Sequence, residues 1–391
     1  MDTDGYLERA SRRLDRFLSK YGGKSWRGCA HFFFWNLGQC FRIPHRPRAT
    51  GDAVCRIVFL LRGGMGDQMI ALNYIQNFER ALDCPHEISI GVSHARDLGM
   101  VRALCHAQPF VHRVLGSAGS LRSADLVAEM VRFPRILYRG GGKACALGET
   151  ALRVVDALEG FQAKNPFLFR YSTPADALGI DYSRLMGRNR LQQGDIGGIL
   201  GVESLYRPVS RADEEGTLKK HGLTGRRFAT IQRGSGGRNG NISTKLWPPE
   251  RFGAVAWMLR ERFPDLLLVQ VGKTSNDPIP GVGLDLRGKT DLGEIMVLLK
   301  RSACHIDGEG GLVHLRHFLG GGPSVVVFGA TSARFYGYPE NTNLQADFCP
   351  DGCEWMTGDY EIHCPRGCEG CENSRRIQPE EVFRSAEKLL S

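Results

Sequence analysis

Three short stretches carry side chains whose types and spacing could do chemistry, and a fourth could hold a metal. The first is Arg62-Gly63-Gly64-Met65-Gly66-Asp67, between a β-branched apolar run and a segment of helical spacing. Glycines let backbone N–H groups approach a ligand, and the start of a helix attracts anions. The stretch is not a GxGxxG fingerprint, because its glycine spacing differs and no acidic residue falls where a ribose partner belongs. Asp67 would stand at the carboxyl end of a strand, where its carboxylate could take a proton from an attacking hydroxyl. Its structural alternative is to cap the helix.

The second stretch runs from Gln232 to Pro248, QRGSGGRNGNISTKLWP. A loop this rich in Gly, Ser, Thr and Arg suits contact with a phosphorylated ligand, through Arg233, Ser243 and Thr244, and Lys245 could neutralise a leaving diphosphate as a point charge. Alternatively the loop is solvated and Lys245 lies along Trp247. The third stretch is Asp307-Gly308-Glu309-Gly310-Gly311-Leu312-Val313-His314. Amides of Gly310 and Gly311 could hold phosphate oxygens and Glu309 could bind sugar or ribose hydroxyls, while Asp307, charged and in a buried strand, needs a partner. His314 is either a ligand contact or a packed histidine.

The fourth stretch is Cys349-x3-Cys353-x10-Cys364-x3-Cys368-x2-Cys371. Two thiolate pairs separated by a loop can close a tetrahedral site for zinc or iron. Five thiols compete for four places, with His363 as a further spare. No open coordination position is required, so the site reads as structural. The other seven cysteines, Cys29, Cys40, Cys55, Cys84, Cys105, Cys145 and Cys304, are scattered and read as small buried hydrophobes.

The elements around these stretches alternate. VCRIVFLL (54–61) is a strand, ALNYIQNFERAL a helix, HEISIGV (86–92) a strand, and further signals run through RILYRGGG. A second cycle begins at RFATIQRG and continues through helix 249–263, strand 266–272, helix 291–300, strand 304–308, helix 311–319 and strand 324–329. Such alternation predicts α/β domains with parallel sheets and crossover helices, and a ligand cleft at the carboxyl ends of the strands. The stretch from about 140 to 222 reads as irregular substructure ending in a linker. The expected division is a basic and aromatic extension (1–53), an N-terminal Rossmann-like domain (54–222), a C-terminal Rossmann-like domain (223–345), a cysteine finger (346–374) and a closing helix (375–391).

Length, 391 residues, allows two to three domains, and 42% hydrophobic with 24% charged residues is the balance of a globular protein. The formal charge is +9, of which the first 50 residues supply +6 through ten Lys/Arg against four Asp/Glu. The rest is too weakly basic for a stripe tracking a phosphate backbone, so no nucleic-acid partner is expected. The extension itself, LERASRRLDRFLSKYG followed by CAHFFFWNLGQCF, reads as a packed helical appendage or as a peripheral dock on an anionic membrane. Residues 1–21 carry charge where a signal peptide would have an apolar core, and no apolar run approaches a spanning helix. The expected place is the cytoplasm, including the inner membrane face.

Taken together, GGMGDQMIALNYIQNF, TKLWPPERF, DGEGGLVHLRHFLG, FGAT and IQPEEV resemble the heptosyltransferase-type glycosyltransferases of family 9, with the GT-B fold. The resemblance spans roughly 54–391 and is weak between 95 and 225. It implies transfer of a sugar, typically heptose from ADP-heptose, with inversion at the anomeric carbon and no divalent metal for transfer. It makes 54–222 the acceptor domain and 223–345 the nucleotide-sugar domain, and it places the base on Asp67 and the phosphate contact on Lys245. The family's acidic D-[ST]-G-x-x-H motif keeps its spacing if Glu309 takes the acidic place and Gly310 the hydroxyl place, which leaves Glu309 and Asp307 as alternatives for holding the sugar. The run C-P-R-G and the last cysteine before S-R-R-I-x-P-E-E resemble the cysteine finger of a branch that modifies bacterial autotransporter proteins. That resemblance favours Cys349, Cys353, Cys364 and Cys371 as ligands for structural iron or zinc, with Cys368 as the alternative. The acceptor is left as a surface protein or a lipopolysaccharide, and a homo-oligomer stays open. Two other functions fit: a nucleotide-sugar epimerase of the same fold, and a non-catalytic metal-finger scaffold.

Overall fold

The computed structural model describes residues 54–391 apart from 107, 117–120, 122–123, 141–146, 171–172, 207–210, 234–235, 238–239 and 242. Everything described falls in one unit of the chain, Thr50–Ser391. The basic and aromatic extension, with its membrane-docking reading, lies outside the described residues.

The run CRIVFLL becomes strand β1 (Cys55–Leu61), with Ile57 and Leu61 fully buried. Such an apolar run suits the middle of a sheet covered on both faces. It leads through the glycine turn into helix α1 (Met65–Glu79), then β2 (His86–Val92), α2 (Leu98–Cys105), β3 (Arg113–Leu115), β4 (Leu126–Met130) and β5 (Arg135–Arg139). Among the described residues the order is β3-β2-β1-β4-β5. β5 departs from the expected parallel pattern and pairs antiparallel with β4. Only Val131–Pro134 connect the two, far too few residues for a parallel crossover.

The stretch expected to be irregular contains three α-helices among its described residues, α3 (Glu149–Lys164), α4 (Thr173–Leu185) and α5 (Arg211–Lys220). In α3 the apolar residues Ala151, Val154, Val155, Leu158 and Phe161 recur at helical spacing and are buried. Helix α5 (Arg211–Lys220) packs on a helix of the second lobe, α7 (Leu292–Arg301), where Lys300 meets Glu214 at 2.7 Å and Lys220 pairs with Glu294.

The second lobe begins with β6 (Phe228–Ile231), carries the small hairpin β7 (Gly236–Gly237) and β8 (Gly240–Asn241), and continues through α6 (Pro249–Arg262), β9 (Leu267–Gln270) and β10 (Leu284–Asp285). After α7 come β11 (His305–Gly308), α8 (Gly311–Leu319), β12 (Ser324–Val327), α9 (Ala333–Tyr336), β13 (Thr342–Leu344), α10 (Glu372–Arg376) and α11 (Pro379–Leu390). The described strands are ordered β10-β9-β6-β11-β12-β13, each pair parallel. Both sheets reverse direction of growth beside their first strand, between β1 and β4 and between β6 and β11. Crevices at such switch points are where open α/β sheets bind ligands.

The core of the first lobe continues into α8, whose Leu312, Leu315 and Phe318 share a cluster with Met69, Leu72 and Phe78. This continuity depends on glycine. A Cβ on Gly66 would lie 2.5 Å from Cδ2 of His314, and one on Gly311 would lie 2.8 Å from Cε of Met65. The helix starts of α1 and α8 therefore meet nearly backbone to backbone. On the far face of the second sheet, Trp247 is fully buried, donates from Nε1 to the Ile377 carbonyl at 3.1 Å and packs edge-on against Phe252. A fully buried aromatic of this kind contributes about 2–3 kcal/mol, and here it pins the end of the loop that carries Lys245.

Candidate active site

Asp67 sits in the first turn of α1, immediately past the glycine turn. Gly63 has φ +94°, and a Cβ there would come within 2.6 Å of Asp67 Oδ2. The turn is closed by the Gly64 N–H, which donates to that same Oδ2 at 3.1 Å. The other oxygen, Oδ1, accepts from Nη2 of Arg190 at 2.8 Å. Asp67 thus does cap the helix, and its side chain nevertheless keeps 47% of its surface exposed. Burial of the carboxyl raises its pKa, but the charge and hydrogen bond of Arg190, with help from Gly64 and His314, outweigh burial and hold it below the ordinary value. Beside Asp67 a narrow crevice of the first lobe, with room for about 10 Å³, is lined among others by Ile70, Tyr74, Met130, Arg190 and Leu191. A larger crevice, about 420 Å³, between β5 and α3 holds none of these site residues.

The second lobe contributes a buried ionic cluster. Lys245 ends a short 3-10 turn, Ser243–Lys245, and its Nζ meets Glu309 Oε2 at 2.8 Å and Glu354 Oε1 at 3.9 Å. Glu309 also accepts from Thr331 Oγ1 at 3.0 Å and lies 3.5 Å from His314 Nε2. His314 Nδ1 is 2.7 Å from the Tyr338 hydroxyl. Burial pulls the lysine pKa down, yet Glu309 and Glu354, with a further push from Asp67, lift it well above its ordinary value. Glu309 is driven far below its ordinary value, its own burial being outweighed by Lys245 and His314. Glu354, which burial and Glu309 both discourage from ionising, is raised despite Lys245. Asp67 influences both Lys245 and Glu354, so the carboxylate of one lobe and the ammonium of the other occupy one electrostatic neighbourhood.

Of the remaining residues singled out from sequence, Gly64, Met65 and Gly66 form the turn and first residues of α1, and Gly310 and Gly311 the start of α8. Thr244 is buried, with its carbonyl accepting from Ala330 N–H at 3.2 Å. Only the backbone of Ser243 is described. Arg233 pairs with Asp277. Asp307 is buried within β11, 3.4 Å from His305, whereas Glu309, just past the strand, reaches Lys245. Trp247 packs in the core, and Lys245 meets carboxylates. Arg190, Thr331, Tyr338 and Glu354 were not singled out. FGAT contains Thr331, and nothing local distinguishes the others.

In the cysteine segment, Cys349, Cys353 and Cys371 are buried, and Cys364 and Cys368 are partly so. Burial, then the neighbouring thiols Cys371, Cys349 and Cys364, push the Cys353 thiol up to about 12. The donor set suits a soft metal in its chemistry, and four thiols are near enough to affect one another. As placed, however, no three His, Cys, Asp or Glu side chains among the described residues converge into a metal-holding group. His363 instead faces Asp359 at 3.1 Å. The segment is fastened to the site: Cys353 and Glu354 N–H both donate to the Ala330 carbonyl, at 2.7 and 3.1 Å, and Asn373 bridges Cys349 to the Gly329 carbonyl.

No protein-family model matches the chain, and no curated protein matches it in sequence. Solved structures do. A family 9 glycosyl transferase from Veillonella parvula is similar with a TM-score of 0.51 at 16% identity, covering 86% of this chain and 97% of that one. The E. coli ADP-heptose LPS heptosyltransferase II gives 0.49 at 13% identity, covering 86% and 98%. The dodecameric iron-containing heptosyltransferase TibC, in complex with ADP-D-β-D-heptose, gives 0.49 at 13% identity, covering 85% and 76%. The first of these, the Veillonella structure, shows the fold to be that of a family 9 glycosyltransferase, the two-lobed GT-B arrangement. Among the described residues no helix is long and apolar enough to cross a membrane.

Proposed function

We propose that the protein is an inverting glycosyltransferase that moves a sugar, heptose from ADP-heptose, to a hydroxyl of a bacterial surface protein or lipopolysaccharide. The observation that carries the reading is the juxtaposition of the two switch points: the solvent-reachable carboxylate of Asp67 stands in the turn whose Gly66 abuts His314, and His314 lies 3.5 Å from Glu309, the 2.8 Å partner of the buried Lys245. The acceptor hydroxyl attacks the anomeric carbon from the Asp67 side. Its proton passes to the Asp67 carboxylate as the bond between that carbon and the diphosphate oxygen breaks, and the electron pair leaves on the nucleotide. Attack opposite the leaving group inverts the centre. Lys245, exchanging Glu309 for phosphate, and the helix start at Gly310 and Gly311 take up the developing charge. Thr244 and Ser243 fix the loop around the diphosphate, and Glu309, once released, faces the sugar hydroxyls.

Purified protein given ADP-heptose and extracts of surface protein or lipopolysaccharide is expected to release ADP only when an acceptor is present. Interconversion of the free nucleotide sugar without acceptor would support an epimerase instead. Failure to bind either ADP-heptose or ADP would end the transferase reading.

For the cysteine segment we propose a structural iron or zinc held by Cys349, Cys353, Cys364 and Cys371, with Cys368 in reserve. The support is the donor chemistry and the shared neighbourhood of the thiols, which must draw together to bind. Elemental analysis should find about one metal per chain, lost in Cys371→Ser. Metal-free protein whose melting is indifferent to added zinc or iron would remove the proposal.

A further inference from the structure

Arg190 has no counterpart in any motif of the sequence, yet it touches both halves of the site. Its side chain is almost wholly buried, donating from Nη2 to Asp67 at 2.8 Å and from Nη1 to Gln193 Oε1 at 2.8 Å. Gln193 is fixed in turn by the Gly179 carbonyl, which accepts from its Nε2 at 3.2 Å. The main chain of Arg190 reaches the other lobe, its N–H donating to the Phe335 carbonyl at 2.8 Å. An exposed aspartate would otherwise rotate among its rotamers, and a general base works only when its oxygen is held where the proton will be.

We propose that Arg190 is the positioning residue for Asp67, holding one carboxylate oxygen while its own backbone is tied to the donor-binding lobe, so that the base is set in register with the donor. The inference rests on the reading of Asp67 as base. Each oxygen of Asp67 accepts one hydrogen bond, from Arg190 or from Gly64, and keeps a lone pair for the acceptor hydroxyl. The charged groups that act on Asp67 come from every element around it: Arg190 from the first lobe, His314 from α8, Lys245 from the 243–245 turn and Glu354 from the cysteine segment. Arg190 is the largest of the influences that favour the ionised form.

The test is transfer kinetics against pH for wild type, Arg190→Met and Arg190→Lys, with calorimetric binding of ADP-heptose. Arg190→Met is expected to lower kcat by about 100-fold while the affinity for ADP-heptose stays within about threefold. Without the guanidinium, burial prevails, so the acid limb of kcat should move to higher pH by about one unit or more. Arg190→Lys should keep the acid limb low and recover only part of kcat, because an ammonium lacks the planar fork. Wild-type kcat in Arg190→Met, an acid limb that does not move, or a loss of donor affinity as large as the loss of kcat would each overturn the proposal. If Arg190→Met does not fold, Arg190→Lys decides: reduced kcat at unchanged affinity supports the role, and wild-type kcat refutes it. An Asp67→Ala control separates the two levels. Full transfer in that variant removes the base itself, whereas an inactive Asp67→Ala beside a fully active Arg190→Met removes only Arg190.

Discussion

The two switch points of this molecule are built on the same strand-turn-helix plan and solve opposite problems. At the first, after β1, the turn ends in a carboxylate with 47% of its side chain exposed. At the second, after β6 and β11, Lys245 and Glu309 keep only 14% and 7% exposed and neutralise each other at 2.8 Å. A buried ion pair is poor evidence of a stabilising device, since desolvation offsets much of its Coulomb gain. Its presence here fits a cation that must remain charged and dry until a phosphate takes the place of its carboxylate. A base has the reverse requirement, because the acceptor must reach it. On the proposed function, exposure on one side and burial on the other match the partner each lobe would meet.

The contrast breaks most sharply at Asp67. Asp67→Ala should lower kcat by about 1,000-fold, within the span typical of a lost general base, while calorimetric affinity for ADP-heptose stays within about twofold of wild type. Lys245→Ala should do the opposite, weakening ADP by about 30-fold, the loss of a charge-assisted contact. It also leaves Glu309 and Glu354 buried together without their counter-ion, so denaturant unfolding should show a loss of about 3 kcal/mol. The pH dependence has a definite sign. Glu309 has a folded pKa below its unfolded value near 4.5, so the stability it supplies is complete above that pH and is lost as pH falls toward the lower folded value. The gap between wild type and Lys245→Ala should therefore narrow on acidification below about 4.5. If Asp67→Ala cost donor affinity and Lys245→Ala did not, the assignment of acceptor and donor to the two lobes would be reversed.

Much of this plan is legible in the chain, for a physical reason. Helices and strands of the second lobe fall within a few residues of their expected bounds, because apolar runs, glycine turns and the proline at 249 mark them locally. Asp67 and Lys245 are equally visible, since turns announce themselves in glycine and polar residues. Helix α3 is not, although its period is intact, because glycines before it and prolines after it suggest a loop. The different surroundings of Asp307 and Glu309 needed the structure as well. Both have the parity of one strand face, and only the end of β11 at Gly308 separates the one kept in the core beside His305 from the one released to Lys245. Arg190 and Glu354 are invisible in principle: they reach the site by tertiary contact, 123 residues separating Arg190 from Asp67.

The smallest expected effect concerns how the two unlike sites are kept at a working distance. Gly66 faces His314, whose ring is held by Tyr338 at 2.7 Å and lies 3.5 Å from Glu309, so it has little freedom to retreat from a new methyl 2.5 Å away. Gly311 faces the flexible end of Met65 at 2.8 Å, which can turn aside, and the Met65 Cβ at 3.2 Å, which need give only by a few tenths of an ångström. Gly66→Ala should therefore separate base from donor by a fraction of an ångström and cut kcat/KM by about 10-fold, with ADP affinity within about twofold because the new methyl does not reach Lys245 itself. Gly311→Ala should remain within about threefold of wild type. Steady-state kinetics on the pair give the answer. Equal losses would mean that the close approach of α1 to α8 is packing alone, and that the spacing of base and donor is set elsewhere, with the Arg190 tie to Phe335 among the remaining connections.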